Sequence, residues 1–308
     1  MTAHTPLRCA NTVMSAFPGS AGKQVVLLDS GNYPAFANYL NETWTFNGAT
    51  PDWTNQSVGV LDAAGPLPGR VDAVMAYDGT GVTLYGGRGG SSADGVLQDT
   101  WTWNGTTWTK RAPATSPFGR YKAEAAYLAG TGVVMFGGRT LNDILLETWV
   151  WNGTTWALQT PAHVPPARVD HAMAAGGGIV VMFGGSGTNS QFNDTWTYNG
   201  TDWTKAAPTA SPSIRSGASM AYASTGGLFV MFGGQDTKTY LDETWVYNGT
   251  TWTKVVGAGP TGRINAEMAY DAATNKVILF GGVSATLGAD AANETWSFDA
   301  VGLTWTQL

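Results

Sequence analysis

The chain has 308 residues, of which 43% are hydrophobic and only 12% are charged, and its formal net charge is −6. This acidic balance disfavours nucleic acid or an anionic membrane surface as the partner, because binding to phosphate groups requires a basic face. No run of about 18 apolar residues occurs, which excludes a membrane-spanning helix. The first residues, MTAHTPLRCANTV, lack a basic segment followed by an apolar stretch, so no signal peptide is predicted. We expect a soluble protein, either cytoplasmic or exported with its signal removed.

A Thr-Trp pair recurs six times along the chain. The pairs occur in ETWTFN (42–47), DTWTWN (99–104), ETWVWN (147–152), DTWTYN (194–199), ETWVYN (243–248) and ETWSFD (294–299). Each unit spans roughly 50 residues, a period typical of repeat architectures. All 14 tryptophans fall within or shortly after these segments, so we assign them to the core between repeats.

Each repeat contains four segments with the signals of β-strands. An Arg opens a stretch of small and apolar residues such as RVDAVMAY (70–77), and an apolar run that ends in Gly-Gly follows, such as VVMFGG (180–185). After a variable loop, the alternating pattern of WVWNGTTW (149–156) predicts two strands joined at Asn-Gly. Asn-Gly indicates a two-residue hairpin turn, because both turn residues need a positive φ.

Four short strands in each of six repeats predict an all-β fold, a six-bladed β-propeller of four-stranded antiparallel blades. The predicted blades are 6–58, 68–111, 118–159, 166–206, 213–255 and 261–308, within one domain that spans 1–308. No blade can bury its faces alone, so the ring has to close. Because the first repeat begins with its own Arg8 and the last ends with its own Trp305, we expect the sixth blade to pack on the first.

The Arg, the Gly-Gly, the acidic-Thr-Trp segment and the closing Trp together resemble the kelch repeat, from about Arg8 to Leu308. The resemblance is to stand-alone kelch propellers of the bacterial type. It implies that the strands of a blade run from the innermost, A, to the outermost, D, so that each Arg begins a strand A. The first repeat departs from the pattern, with VVLLDSG (25–31) in place of the run that ends in Gly-Gly.

One Arg and one acid recur in every repeat. The arginines are Arg8, Arg70, Arg120, Arg168, Arg215 and Arg263, and the acids are Glu42, Asp99, Glu147, Asp194, Glu243 and Glu294. Because strands A and C begin at the same end of a blade, one interpretation pairs each Arg with the acid of its repeat. The alternative is a ring of arginines around the mouth of the channel, available to an anionic ligand.

The loops that lead into strand A share one face of the propeller with the B–C loops, and in kelch proteins this face commonly holds the binding site. Arg88 and Arg139 directly follow a Gly-Gly, which places them on the same face, and the first B–C loop adds aromatic side chains. The residues that we predict to bind a ligand are Arg70, Arg88, Arg120, Lys122, Arg139, Arg168, Arg215, Arg263, Asn265, Tyr33 and Tyr39.

Carboxylates on the innermost strands are candidate catalytic groups. Residues two and four positions after the Arg are expected to share its face of strand A, because side chains alternate along a strand. Glu124 and Glu267 both lie four positions after the Arg, three blades apart and hence across the channel from each other. If the protein is an enzyme, the predicted catalytic residues are Glu124, Glu267, His171, Asp170 and Asp72, which suit acid–base chemistry.

Three functions stay open at this point. The first is a monomer that binds a small molecule, an acidic peptide or a glycan in the Arg-rich mouth of the channel. The alternative is a stand-alone enzyme of the isomerase, lyase or cyclase type that acts on a small molecule in the same place. The second alternative is a scaffold for protein interactions. The single cysteine, Cys9, and three scattered histidines have no metal-ligand spacing, so no metal or cofactor is predicted.

Overall fold

The computed structural model describes residues 6, 12–20, 23–29, 41–57, 67–89, 95–284 and 292–308. The predicted ligand contacts Tyr33 and Tyr39 lie outside these residues, as does the first recurring arginine, Arg8. Every regular element among the described residues is a β-strand.

The first half of the described chain forms three four-stranded antiparallel sheets. Sheet 1 contains β1 (Val13–Ser20), β2 (Lys23–Asp29), β3 (Glu42–Asn47) and β4 (Asp52–Asn55). A small two-stranded sheet of β5 (Arg70–Val71) and β8 (Arg88–Gly89) accompanies sheet 2, which contains β6 (Val74–Tyr77), β7 (Val82–Tyr85), β9 (Thr100–Trp103) and β10 (Trp108–Arg111). Sheet 3 contains β11 (Glu124–Leu128), β12 (Gly132–Phe136), β13 (Thr148–Trp151) and β14 (Trp156–Leu158).

The second half repeats this arrangement. Sheet 4 contains β15 (Ala172–Gly176), β16 (Ile179–Phe183), β17 (Thr195–Tyr198) and β18 (Trp203–Ala206). Sheet 5 contains β19 (Ser216–Ala223), β20 (Leu228–Gln235), β21 (Thr244–Tyr247) and β22 (Trp252–Lys254). A second small sheet of β23 (Arg263–Ile264) and β26 (Val283–Ser284) accompanies sheet 6, which contains β24 (Glu267–Asp271), β25 (Lys276–Phe280), β27 (Thr295–Asp299) and β28 (Thr304–Gln307).

The first strand of each four-stranded sheet lies innermost. Strands β1, β6, β11, β15, β19 and β24 contact one another in this order, and β24 contacts β1. The sheets therefore surround a common axis, and the fold is an all-β propeller of four-stranded antiparallel blades. Within the described residues, each of these sheets is built from one continuous stretch of chain, so sheet 6 meets sheet 1 without an exchange of strands.

The hydrophobic core lies between neighbouring sheets. Val134 and Phe136 of sheet 3, for example, share one buried cluster with Met173 and Trp203 of sheet 4. Each strand has side chains on both faces, and each face meets a different neighbour. The hydrophobic core is therefore a series of interfaces between neighbouring sheets around the ring. It does not fill the axis, which contains a cavity.

A hydrogen bond between a Trp and a Thr crosses each of these interfaces. In every case, the donor is the indole Nε1 of the Trp in the outermost strand of one sheet. The acceptor is the hydroxyl Oγ1 of a Thr that is the first or second residue of the third strand in the preceding sheet. The pairs are Trp53–Thr295 (3.0 Å), Trp108–Thr43 (2.8 Å), Trp156–Thr100 (3.0 Å), Trp203–Thr148 (2.9 Å), Trp252–Thr195 (2.9 Å) and Trp305–Thr244 (2.8 Å). These tryptophans are scaffold, as their repeat positions predict.

The hairpin between β9 and β10 turns through four residues, whereas Asn-Gly predicts a two-residue turn. Asn104 Oδ1 accepts hydrogen bonds of 2.9 Å from the backbone N–H groups of Thr106 and Thr107. Of the two residues of the Asn-Gly pair, only Gly105 has a left-handed φ, at 102°. The Asn side chain therefore stabilises this turn through its own hydrogen bonds, in the manner of an Asx-turn.

The Gly-Gly pairs join one sheet to the next. Gly184 has a φ of 67°, and a Cβ atom there would lie 2.6 Å from the carbonyl oxygen of Arg215 in the following segment. The N–H of Gly185 donates a hydrogen bond of 2.9 Å to the same oxygen. Glycine is needed because the two backbones approach too closely for any side chain.

The recurring arginines do not lie on regular innermost strands, which corrects the prediction for strand A. The residue two positions after the Arg is left-handed in five repeats: Asp72 (φ 53°), Lys122 (φ 58°), Asp170 (φ 53°), Gly217 (φ 67°) and Asn265 (φ 53°). A left-handed residue interrupts the alternation of side chains, since alternation requires extended backbone. The prediction that these residues share the face of the Arg is therefore wrong.

Candidate ligand-binding cavity

A cavity of about 310 Å³ lies on the axis of the propeller. It is lined by the innermost strands and by the residues that precede them. The charged groups of its lining lie on two levels. The first level contains the left-handed residues, and the second contains the residues two positions further along the chain.

The first level, which we call the throat belt, contains Asp72, Lys122, Asp170, Gly217 and Asn265. Their backbones are joined in succession around the axis. The N–H of Lys122 donates to Asp72 O (2.9 Å), that of Asp170 to Lys122 O (3.3 Å), that of Gly217 to Asp170 O (2.8 Å) and that of Asn265 to Gly217 O (2.9 Å). The left-handed φ makes this possible, because it turns each peptide towards the neighbouring repeat.

The throat belt carries both signs of charge. Lys122 Nζ contacts the two carboxylate oxygens of Asp170 at 3.0 and 3.1 Å. Burial raises the pKa of Asp72 to about 6; Lys122 and Arg88 oppose this shift, whereas Asp170 adds to it. Near neutral pH, Asp72 therefore exchanges its proton readily.

The second level, which we call the carboxyl layer, contains Glu124, Glu267, Thr12 and Ser219. Glu124 begins β11 and Glu267 begins β24, three sheets apart around the axis. Burial raises the pKa of Glu124 to about 8, with the charges of Asp170 and Asp72 adding to the shift. Burial also raises the pKa of Glu267 well above its usual value, and the charge of Glu124 contributes. The two carboxyl groups are thus electrostatically coupled across the axis.

Hydrogen-bonding capacity is left unused in the carboxyl layer. The hydroxyl groups of Thr12 and Ser219 are at least nine-tenths buried and have no hydrogen-bond partner among the described residues. Glu267 receives a hydrogen bond from the backbone N–H of Met14. Buried hydroxyls without partners are uncommon, because each lost hydrogen bond costs about 1–3 kcal/mol. Both residues border the cavity, but their hydroxyl oxygens are covered by protein atoms.

His171 also borders the cavity, but its surroundings are apolar. Its ring packs edge-on against Phe136, with centroids 5.8 Å apart, and neither ring nitrogen has a partner among the described residues. Burial, followed by the positive charge of Arg168, lowers its pKa to about 3, with Asp194 partly opposing. His171 is therefore a neutral imidazole at physiological pH.

The recurring arginines pair with acids and do not line the cavity. Each is at most 1% exposed and contacts the acid of its own repeat. The pairs are Arg70–Asp99 (2.7 Å), Arg120–Glu147 (2.7 Å), Arg168–Asp194 (2.7 Å), Arg215–Glu243 (2.6 Å) and Arg263–Glu294 (2.8 Å). The pairing interpretation is confirmed for these five arginines, and an arginine ring open to an anion is not what the described residues form.

The remaining contacts of these arginines explain their burial. In Arg168, the guanidinium also donates to the carbonyl oxygens of Gly184 (2.7 Å) and Pro166 (3.0 Å). Asp194 in turn accepts a hydrogen bond from Trp196 Nε1 at 2.8 Å. The Arg, the Gly-Gly and the acidic-Thr-Trp segment of one repeat therefore meet in one polar cluster, which holds the ends of three segments together.

Arg88 and Arg139 are not among the residues that line the cavity, and both pack over the ring of Tyr121. Their guanidinium carbons are 5.1 and 5.7 Å from the centre of its ring. Both arginines are half-buried. None of the described arginines lines the cavity, although the charge of Arg88 acts on Asp72. The polar residues that the structure brings together around the axis include Asp72, Lys122, Asp170, Asn265, Glu124 and Glu267.

Sequence reasoning did not assign Thr12 and Ser219 to the site. Both occupy the position four residues after the recurring Arg, the same position as Glu124 and Glu267. That shared position was the available signal. Hydroxyl residues are common in strands for reasons of packing, which is why the signal was weak.

Two further properties concern the part of the chain that the structure describes. Within it, no group of three or more His, Cys, Asp and Glu residues is arranged to hold a metal ion. The same residues include no helix long and apolar enough to cross a bilayer.

Comparison with known proteins agrees with the fold. A family model described as the KLHDC2/KLHL20/DRC7 Kelch-repeats domain matches residues 103–259, just over half of the chain. No curated protein matches the chain. The matched segment includes the recurring Arg, Gly-Gly and Thr-Trp elements of the third, fourth and fifth repeats in full. The protein therefore belongs to the kelch-repeat family, whose propellers generally serve as binding scaffolds.

Proposed function

We propose that this kelch propeller binds a small polar molecule in the cavity on its axis. The observation that carries the proposal is the cavity itself, because the throat belt and the carboxyl layer bring polar side chains to its lining: Asp72, Lys122, Asp170, Glu124 and Glu267. A bound molecule would form hydrogen bonds with Glu124 and Glu267, which line the cavity. Small-molecule sites are typically concave, with a few convergent polar groups of this kind.

The charge of the lining favours a neutral or cationic molecule over an anionic one. The expectation of an anionic ligand, whether a small anion, an acidic peptide or a glycan with acidic groups, rested on the recurring arginines. Those arginines are buried against their acids, and the cavity is lined by four carboxyl groups and one lysine. An anion placed among these carboxylates would be repelled.

We also infer that six blades complete the ring and that the protein is a monomer. Six four-stranded sheets among the described residues and the contact between β1 and β24 support the number of blades. Three of the outermost strands carry a lysine at or next to their end, Lys110 in β10, Lys205 in β18 and Lys254 in β22, and such charges discourage edge-to-edge pairing between molecules. Light scattering coupled to size exclusion measures the mass in solution, and a dimer would contradict the second inference.

A thermal-shift screen with neutral, cationic and anionic metabolites tests the binding proposal. A molecule that binds in the cavity raises the melting temperature of the wild type, and it raises that of Glu267→Gln and Glu124→Gln less. Ser224→Ala and Asp143→Asn are matched controls, because both residues are exposed and lie outside the cavity lining. If every molecule that binds also binds the cavity variants equally well, the cavity is not the site.

Acid–base catalysis in the same cavity is a second candidate function. The specific observation is the pair Glu124 and Glu267, which face each other across the axis with raised pKa values. Carboxyl groups that titrate near neutral pH serve as general acids and bases. Asp72 and Asp170 line the same cavity and would assist them, whereas His171, whose pKa is lowered to about 3 and whose ring nitrogens are buried, would not. Proton NMR of a bound molecule separates the two functions, because a substrate of an isomerase or lyase changes its spectrum with time and a ligand does not.

Failure to bind any small molecule would favour the remaining alternative, a scaffold for protein interactions. Large apolar side chains are exposed on the segments that precede β11 and follow β12, with Phe118 73% and Leu141 55% exposed. A pull-down with the wild type and with Phe118→Ser would then identify the face involved.

A further inference from the structure

The end of the cavity that lies away from the throat belt is aromatic. The throat belt precedes the innermost strands, whereas this end is formed by residues further along the same strands. One residue of each innermost strand, in the same register in all six sheets, lines the cavity there and is half-buried. In the order of the sheets, these residues are Ala16, Tyr77, Tyr127, Ala175, Tyr222 and Tyr270. We call this set the tyrosine girdle.

The order of the sheets divides the tyrosine girdle into two walls. The tyrosines of sheets 2 and 3 form one wall, where the rings of Tyr77 and Tyr127 meet edge-on with centroids 5.7 Å apart. The tyrosines of sheets 5 and 6 form the other wall. Ala16 of sheet 1 and Ala175 of sheet 4 lie three sheets apart, hence on opposite sides of the axis. The two walls therefore face each other, and the small side chains between them leave a slot.

The preceding sheet makes room for two of these rings. A Cβ atom at Gly79, in the hairpin between β6 and β7, would lie 2.7 Å from Tyr127 Oη. A Cβ atom at Gly176, the last residue of β15, would overlap the ring of Tyr222. Each ring therefore lies over the backbone of its neighbour, and a side chain at either glycine would displace it. The positions of the rings are fixed by the fold before any ligand arrives.

The hydroxyl groups of two tyrosines are bound to the rim. Tyr77 Oη donates a hydrogen bond of 2.7 Å to Gly79 O. Tyr270 Oη donates one of 3.0 Å to Asn275 Oδ1 and lies 2.6 Å from Thr225 Oγ1. Because these hydroxyls already have protein partners, the rings offer mainly carbon surface to a ligand.

The lining between the tyrosine girdle and the carboxyl layer is apolar. In sheets 2 to 6, each strand contributes two residues there, and all of them are alanine or methionine. They are Met75, Ala76, Ala125, Ala126, Met173, Ala174, Met220, Ala221, Met268 and Ala269. The cavity is therefore amphipathic, with charged groups at one end and apolar and aromatic side chains at the other.

An aromatic ring fits this apolar end best. Aromatic side chains attract another ring through offset-stacked and edge-to-face contacts, and methionine sulfur adds favourable contacts of its own. A sugar ring carries hydroxyls on all sides, which would lose their hydrogen bonds against alanine and methionine. A flexible alkyl chain would lose conformational freedom in the slot without gaining any contact between rings.

We propose that the cavity takes a small aromatic molecule whose ring lies in the slot of the tyrosine girdle and whose polar substituent reaches the carboxyl layer. This inference rests on the proposed binding function and specifies the class of ligand. Glu124 and Tyr127 are three residues apart on β11, a rise of roughly 10 Å for extended backbone. A single ring with a three-carbon chain that ends in a hydroxyl spans about this length.

Ligand-observed NMR titrations with 3-phenylpropanol, 3-cyclohexylpropanol and methyl glucoside test the proposal. We expect the phenyl compound to bind about tenfold more tightly than the cyclohexyl compound, because contacts between aromatic rings add to the burial of apolar area. The saturated ring is thicker and more hydrophobic, so a site that selects only for apolar surface would prefer it. The glucoside should show no measurable binding.

Variants locate the site. Tyr127→Leu and Tyr222→Leu should each weaken the binding of 3-phenylpropanol about fivefold, because each removes one aromatic partner and keeps an apolar side chain. Tyr127→Phe, which keeps the ring, should bind as the wild type does. Tyr240→Leu is the matched control, because Tyr240 is also half-buried but lies outside the cavity lining.

Two results would overturn the proposal. One is binding of 3-cyclohexylpropanol that equals or exceeds that of 3-phenylpropanol. The other is unchanged binding of 3-phenylpropanol by the folded leucine variants. If a leucine variant fails to fold, the preference of the wild type between the two alcohols still decides.

The outcomes separate the class of ligand from the proposed function. A non-aromatic molecule that binds the wild type, and binds Glu124→Gln more weakly, would refute the aromatic ligand and leave the proposed function standing if 3-phenylpropanol does not bind. Absence of binding by the three probes and by every molecule of the thermal-shift screen would refute both.

Discussion

The indole Nε1 of Trp53 donates a hydrogen bond of 3.0 Å to Thr295 Oγ1, across 242 positions of the chain. The Trp53 ring also packs against Phe280 of sheet 6, with centroids 5.1 Å apart. The equivalent hydrogen bond joins Trp203 to Thr148 in the middle of the chain. The ends of the ring are therefore joined by the contact that joins any two neighbouring sheets.

Thr295→Val should lower the free energy of unfolding by about 1–3 kcal/mol, because it leaves the buried N–H of Trp53 without an acceptor. Thr148→Val removes the equivalent acceptor from Trp203 and serves as the internal reference. Denaturation in guanidinium, followed by tryptophan fluorescence, measures both. A loss at Thr148 with none at Thr295 would show that the closing interface contributes less than the others.

Arg168→Met should lower the free energy of unfolding by about 3–5 kcal/mol, because it leaves Asp194 and the carbonyl of Gly184 without their partner. Burial alone would raise the pKa of Asp194, but hydrogen bonds from Arg168 and Trp196 hold this pKa below its usual value. Arg111→Met is the control, because Arg111 is exposed on an outermost strand. Loss of ligand binding in folded Arg168→Met, with unchanged stability, would restore the anion-binding interpretation of the arginines.

Gly184→Ala should destabilise the protein by more than Gly249→Ala does. Both glycines have a left-handed φ, but a Cβ at Gly184 would lie 2.6 Å from Arg215 O, whereas a Cβ at Gly249 would have nothing within 4 Å. We expect about 1 kcal/mol for Gly249→Ala, from the strained φ alone, and a larger loss at Gly184. Equal losses in thermal and chemical denaturation would refute the close approach of the two backbones.

The raised pKa of Glu124 makes stability fall as the pH rises. The folded protein holds the proton of this carboxyl up to about pH 8, whereas the unfolded chain loses it near 4.5. The contribution of Glu124 is therefore complete below pH 4.5 and is lost progressively between pH 4.5 and 8, by up to about 1.4 kcal/mol per pH unit. Glu124→Gln should show a smaller loss, which Glu267 and Asp72 still cause because their pKa values are also raised. Parallel curves for the two proteins from pH 5 to 8.5 would contradict this prediction.

Glu243 should change the stability of the protein with pH in the opposite direction to Glu124. Burial raises the pKa of Glu243, but hydrogen bonds from Lys254, Trp245 and Arg215 outweigh this effect and lower the pKa to about 2. Its contribution is present above pH 4.5 and is lost as the pH falls towards 2. Glu243→Gln should therefore reduce the loss of stability on acidification, measured by thermal unfolding at pH 6, 4 and 3. A steeper loss than in the wild type would be inconsistent with the pairing.

The periodicity of the sequence was sufficient to predict the strands, the closing contact and the scaffold role of the tryptophans. These features depend on residues that recur in every repeat, such as the Trp of the outermost strand, represented by Trp203, and the Thr of the third strand, represented by Thr148. The arrangement of the site was harder to predict, because it depends on one backbone conformation. The alternation expected after Arg168 ends at Asp170, whose φ is 53°.

A signal for this break was present in the sequence. The position two residues after the Arg holds Asp72, Asp170, Gly217 and Asn265, and these residue types adopt the left-handed region more readily than others. Lys122 is the exception, and its Nζ is held by the carboxylate of Asp170. Comparison of this one position among the repeats would have predicted a turn where a strand was expected, and would have separated the arginines from the cavity.

The bond between Trp53 and Thr295 has a consequence for how the protein comes apart. In an open array of repeats, the terminal unit has a single neighbour and frays first, so stability grows from the ends inwards. Here each sheet has two neighbours, and no unit can leave without breaking two interfaces. Unfolding should therefore be strongly cooperative, and the kinetic barrier should lie in opening the first interface, after which the ring becomes an open array that loses its repeats in succession.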